Sequence, residues 1–96
     1  VSATNEMMQT IKPLLRIAPN KVHLLVKQST QDVLVLYENW VWMVVHQQYR
    51  FPPTVDVMVR VWGDHYAQEA PSETHYFDTL WSLRVWIEQR FQALKS

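Results

Sequence analysis

The sequence has no cysteine and a single glycine in 96 residues. Without thiols there can be no disulfide, no thiolate nucleophile and no Cys-ligated zinc. One glycine, Gly63, is too few for the loops whose backbone amides cradle phosphates. Net charge is also absent: nine Lys and Arg balance nine Asp and Glu. Proteins that grip phosphate backbones usually carry a basic excess, so nucleic acid is an unfavoured partner. No window approaches the roughly eighteen apolar residues of a membrane span, and Val1–Asn5 lacks the character of a signal peptide. A cytoplasmic protein with no membrane partner is therefore expected. Neither a Ser–His–Asp order nor a helical zinc-protease motif occurs, so the sequence names no reaction and no cofactor.

What is present is a well-supplied core. Hydrophobic residues make up 48% of the chain, with five Trp, four Tyr and three Phe, which suits one domain over residues 1–96. The clearest element is Thr54–Trp62, where Val55, Val57, Val59 and Val61 alternate with Asp56, Met58, Arg60 and Trp62. A period of two is a strand, with one valine face for a core. Gly63 then ends it.

Three further strands precede it. Val22, Leu24 and Val26 alternate with His23, Leu25 and Lys27 within Lys21–Gln28. A polar turn at Ser29–Asp32 leads to Asp32–Glu38, with Val33, Val35 and Tyr37 set against Leu34 and Leu36. After the turn Glu38-Asn39, Trp40–Arg50 is the longest strand. Strict alternation there puts Val41, Met43 and Val45 on one face and Trp40, Trp42, Val44 and His46 on the other. Pro52-Pro53 cannot sit in a central ladder and breaks the chain. His65–Ala70 is a candidate fifth strand, interrupted by Pro71-Ser72.

Helical spacing marks both ends of the chain. Met7, Met8, Ile11, Leu14, Leu15 and Ala18 form one stripe within Thr4–Ala18, with Thr4 or Asn5 as cap. Pro13 predicts a kink, or a second short helix that it opens. From Asp78 to Leu94 the stripe is Leu80, Leu83, Ile87, Phe91 and Leu94, with Asp78 or Thr79 as cap. The fold class is α+β: a four- or five-stranded antiparallel meander, a Pro-kinked N-terminal helix and a C-terminal helix, in two layers.

The face opposite the valines is unusually apolar. It is expected to carry Leu34, Leu36, Trp40, Trp42, Val44, Met58 and Trp62, with His46 and Arg60 among them. One helix on each face would make all of these core. Both helices on the valine face would leave an exposed apolar area of the kind that marks interfaces, where Trp, Met and Arg are enriched. Its partner is then another protein, most economically a second copy in a homodimer. A ligand groove beneath a displaced helix is the third reading. On this face His46 can pair with Asp56 or bond across strands.

One segment holds other reactive residue types. His65, Glu69, Glu73 and His75 lie between Asp64 and Asp78. Imidazoles and carboxylates bind divalent ions or act as acids and bases if the loop gathers them. The ten-residue gap between the histidines matches no compact metal motif, and a solvated acidic loop is the plainer account. The leading expectation is a non-enzymatic interaction module; the alternative is a small-ligand or metal-binding protein, or an enzyme, working through this loop.

The stretch Val59-Arg-Val-Trp-Gly-Asp-His-Tyr-Ala-Gln-Glu69 resembles a segment of the YqiB-like family of small uncharacterised bacterial proteins. There an aliphatic-Arg-aliphatic-aromatic strand runs into an Asp and, shortly after, another acid. Met8–Pro19, with Leu14-Leu15-Arg16, is similar to that family's opening helix. The resemblance covers about a third of the chain and departs from the pattern at Pro52-Pro53 and in the final helix. It implies a bacterial α+β protein and transfers no site residue.

Overall fold

Pro13 divides the N-terminal helix. The structure, a computed structural model, describes residues 3–50, 54–62 and 70–95. In it an α-helix, α1 (Ala3–Ile11), passes directly into a 3-10 segment, Lys12–Ile17, with proline in its first turn. Proline has no N–H with which to continue the hydrogen-bond ladder of α1, so the α-helix ends and a tighter segment follows. Thr4 lies inside α1 rather than at its cap. Its hydroxyl donates to the carbonyl of Gln31 at 2.7 Å and ties the helix to the first hairpin.

Five strands follow: β1 (Val22–Lys27), β2 (Asp32–Tyr37), β3 (Trp40–Arg50), β4 (Thr54–Val61) and β5 (Glu73–Phe77). They form one antiparallel sheet in chain order, a meander. The chain closes with α2 (Leu80–Ala93). The fold is α+β, as the alternation and helical spacing predict. Among the described residues the fifth strand lies beyond Pro71-Ser72. Of the segment expected to form it, residues 65–69 are outside the described residues and Ala70 is a bend. Ser72 ties the chain back to the sheet by bonding the Val61 carbonyl through both its N–H (2.8 Å) and its hydroxyl (3.0 Å).

The β2–β3 connection is a two-residue turn with positive φ at Glu38 (51°) and Asn39 (71°). That geometry matches the twist of paired strands, and asparagine tolerates it better than glutamate does. At the other end of the molecule, the Thr79 side chain accepts from the Ser82 N–H at 3.1 Å and caps α2.

Both helices pack on the same face of the sheet. Met7, Ile11 and Leu14 meet Leu83, Ile87 and Phe91 over the inward valines in one continuous core. Helix α1 touches β2 and β3, α2 touches β5, and the two helices touch each other. A helix on each face is thereby excluded. Two layers result, and among the described residues no helix or strand lies over the other sheet face.

Candidate interaction face

The strand register places side chains on the outer face in rows. One row runs Leu25, Leu34, Val44, Arg60 and Thr74 across all five strands. A neighbouring row runs from Lys27 and Asp32 on the first hairpin through His46 and Met58 to Tyr76. Leu34, Leu36, Met58 and Arg60 are half-buried, Val44 is buried, and Leu25 and Tyr76 are more than half exposed. Leu34, Leu36, Val44, His46, Met58 and Arg60 are therefore gathered on one surface, as alternation predicts.

The tryptophans are not all there. A bulge interrupts the β2–β3 ladder: Val35 faces Met43, but the next residue, Leu36, faces Val41. Trp42 is the extra residue, and a bulge of this kind reverses alternation on one side of itself. Its indole stacks on Phe91 of α2, centroids 6.1 Å apart, and lies 5.9 Å from the Tyr37 ring on the helix side. Trp40 pairs with Tyr37 rather than with an outer-face residue, and is 52% exposed at the hairpin. The expectation of Trp40 and Trp42 on the outer face is thus corrected. Val41 takes the outer position instead. Trp62 is on the outer side two residues from Arg60 but only 5% exposed, and the Arg60 guanidinium lies 5.8 Å from its ring centre.

The outer face is concave at its middle. A hollow of about 280 Å³ is lined by Lys27, Asp32, Leu34, Val41, Val44 and Arg60. Leu34, Val41 and Val44 make an apolar floor, and the charged residues stand at its edges. Asp32 is 5% exposed, and its Oδ1 lies 2.5 Å from His46 Nδ1 across the β2–β3 ladder. His46 therefore does bond across strands, to Asp32. The side chain of Asp56, its other candidate partner, is outside the described residues. The Nε of Arg60 is buried and has no acceptor among the described residues.

Sequence reasoning misses Lys27, Asp32 and Val41 as members of this site. Alternation does place Lys27 on the outer face, but a lysine on a strand reads as a solvated surface charge. Asp32 reads as part of the turn. Val41 is recovered only once the bulge is known.

The acidic segment is built differently. Glu73 and His75 belong to β5, whereas His65 and Glu69 lie outside the described residues. Arg90 of α2 grips the Glu73 carboxylate with two bonds, Nη1 to Oε2 at 2.9 Å and Nη2 to Oε1 at 2.7 Å. His75 Nε2 is 3.0 Å from the same Oε1. The His75 ring lies 4.8 Å from that of Trp86, over which the Arg90 guanidinium also sits, at 4.7 Å. The bond from Arg90, reinforced by that from His75, lowers the Glu73 pKa from 4.5 to about 2. Arg90 is correspondingly raised by the carboxylate. These contacts hold edge strand β5 to α2, and a metal at Glu73 would have to displace them. Among the described residues no group of three His, Asp or Glu gathers as a metal site. Nor is any described helix long and apolar enough to cross a membrane.

Fold and site together define a small α+β protein with one sheet face covered by helices and the other presenting a charged-rimmed apolar hollow. Comparison with family models, curated proteins and solved structures found no match.

Proposed function

We propose that the protein is a non-enzymatic interaction module whose outer sheet face receives another polypeptide, either a second copy or a different protein. The observation that carries this is the placement of both helices on one side of the sheet. Leu25, Leu34, Leu36, Val41 and Met58 are thereby left wholly or partly open to solvent. Contiguous apolar surface of that kind is uncommon on monomers and marks contacts between proteins. The hollow, at about 280 Å³, is at the small end of ligand pockets, which run from roughly 300 to 1,000 Å³. A shallow site of that size suits one or two side chains of a partner better than an enclosed small molecule. The setting we propose is the bacterial cytoplasm.

A photo-crosslinking residue introduced at position 34, in the floor of the hollow, tests the reading. The control position is Gln9, exposed on α1. Crosslinking in cells, followed by mass spectrometry, should join position 34 to an identified polypeptide (this chain or another) and leave position 9 unjoined. Equal labelling at both positions, or none at 34, removes the reading.

A further inference from the structure

The free edge of β1 presents an ordered set of backbone groups. This strand ends the sheet, with β2 as its one neighbour among the described strands. The Lys21 carbonyl accepts the Glu38 N–H at 3.0 Å, and the Lys27 carbonyl accepts that of Gln31 at 2.7 Å. Alternate residues of an antiparallel strand turn their backbone groups to opposite sides. His23, Leu25 and Lys27 therefore bond towards β2, and Val22, Leu24 and Val26 turn outward. The Val22 N–H is already taken, by the Ala18 carbonyl at 3.3 Å. Besides the Val22 carbonyl, Leu24 and Val26 each direct an N–H and a carbonyl off the sheet.

Native edges are blunted by proline, a bulge, or a charge pointing inward. Val22–Lys27 has no proline and no register shift, and its one lysine stands at the end of the strand on the outer face. Apolar side chains lie open on both sides of it. Leu25 is 55% exposed on the outer face, and Leu24 and Val26 are half-buried on the helix face. The opposite edge, β5, is guarded: Pro71 precedes it, and Glu73 points inward to Arg90.

We infer that β1 pairs with β1 of a second copy, antiparallel about a two-fold axis at Leu25, joining two five-stranded sheets into one. In that register Leu24 faces the partner's Val26 and Val26 the partner's Leu24, so all their outward N–H and carbonyl groups are bonded. Leu25 meets the partner's Leu25, and Lys27 lies opposite the partner's His23. A register centred on Leu24 is poorer. It sets the Val26 carbonyl against the Val22 N–H that Ala18 has taken, and Lys21 opposite the partner's Lys27. Any extended strand could satisfy the backbone; the side chains select a second copy, since each apolar residue meets another and no two lysines are opposed. The main helix contacts are with β2, β3 and β5, away from the junction. Pairing about a two-fold axis also closes the assembly, because only the guarded β5 edges remain outside.

The chain has no cysteine, so one introduced at the axis reads the register directly. Opposed residues of a non-hydrogen-bonded pair lie about 4.5 Å apart at Cα, within disulfide reach, whereas position 23 is roughly 14 Å from its own copy. Under mild oxidation full-length Leu25→Cys should form a disulfide-linked dimer and His23→Cys should not. In light scattering the parent's mass should climb from 11.5 kDa towards twice that as concentration rises to about 1 mM. Leu25→Lys opposes like charges at the axis, and Val26→Pro removes an N–H that β2 does not use. Each should weaken pairing by roughly tenfold or more while circular dichroism stays that of the parent.

A parent that stays at the mass of one chain overturns the inference. So does a dimer that links equally through both cysteines or survives Leu25→Lys. A monomer leaves the outer-face reading untouched, since that stands or falls by the crosslink from position 34.

Discussion

Trp42 stacks on Phe91, their ring centroids 6.1 Å apart and their planes inclined by 29°. That one contact assigns the indole to the layer between sheet and helix, against the alternation of its own strand. It also changes what a substitution there would report. Trp42→Glu should unfold the domain instead of merely disabling its surface. Truncating a core tryptophan costs roughly 3–5 kcal/mol, and a buried carboxylate without a partner adds to that. Urea denaturation is the check, with Leu25→Glu on the open outer face as comparison. Leu25 is 55% exposed, so its variant should stay within about 1 kcal/mol of the parent. Similar losses at both positions would place Trp42 back on the surface.

The Glu73–Arg90 pair carries a pH signature. The folded pKa of Glu73 is lowered, from 4.5 to about 2. Its contribution is thus complete above pH 4.5 and disappears as pH falls towards 2. The carboxylate is 38% exposed, so solvent screening holds the effect to about 1 kcal/mol or less. Glu73→Gln should lower stability at neutral pH and flatten the acid limb of the stability curve. An unchanged acid limb would mean that the pair does not hold β5 to α2.

The cap of α2 is a local feature with a predictable cost. Thr79 accepts the Ser82 N–H at 3.1 Å and also donates to the Ser82 hydroxyl at 3.0 Å. Thr79→Ala should destabilise the domain by about 1 kcal/mol, read as a shift in the denaturation midpoint, with Thr79→Ser nearly neutral. A loss as large with serine would point to the methyl group instead of the hydrogen bond.

The β2–β3 turn is open to improvement. Glu38 holds φ at 51°, a left-handed conformation that costs a residue with a Cβ about 1 kcal/mol. Glu38→Asn together with Asn39→Gly writes the sequence this turn prefers. Stability should rise by roughly 0.5–1 kcal/mol, or a few degrees in Tm. A fall in Tm would show that Glu38 makes a contact worth more than the strain it bears.

The periods of the sequence were enough for four of the five strands and for both helices. Valines at every second position in Thr54–Val61, and stripes at three and four around Ile11 and Ile87, each state which face is apolar, and Val57, Val59, Val61, Ile11 and Ile87 are buried accordingly. Pro13 likewise announces the break in the first helix, and Thr79 the start of the last. These are local properties, and any short window of the chain contains them.

The make-up of the outer face needed the folded molecule. One residue inserted in the β3 ladder turns Trp40 and Trp42 away from the outer face and brings Val41 onto it, because every side chain beyond a bulge changes sides. Nothing in Trp40-Val-Trp-Met43 marks that position, since the sequence alternates whether or not the ladder slips. The pairing of His46 with Asp32 joins residues fourteen apart, and that of Glu73 with Arg90 joins residues seventeen apart, both through strand and helix packing alone. Which sheet face stays open was equally undecidable from the periods, since a helix stripe states that it must be buried but not against which side. Contact between α1 and α2 over one set of valines settles it.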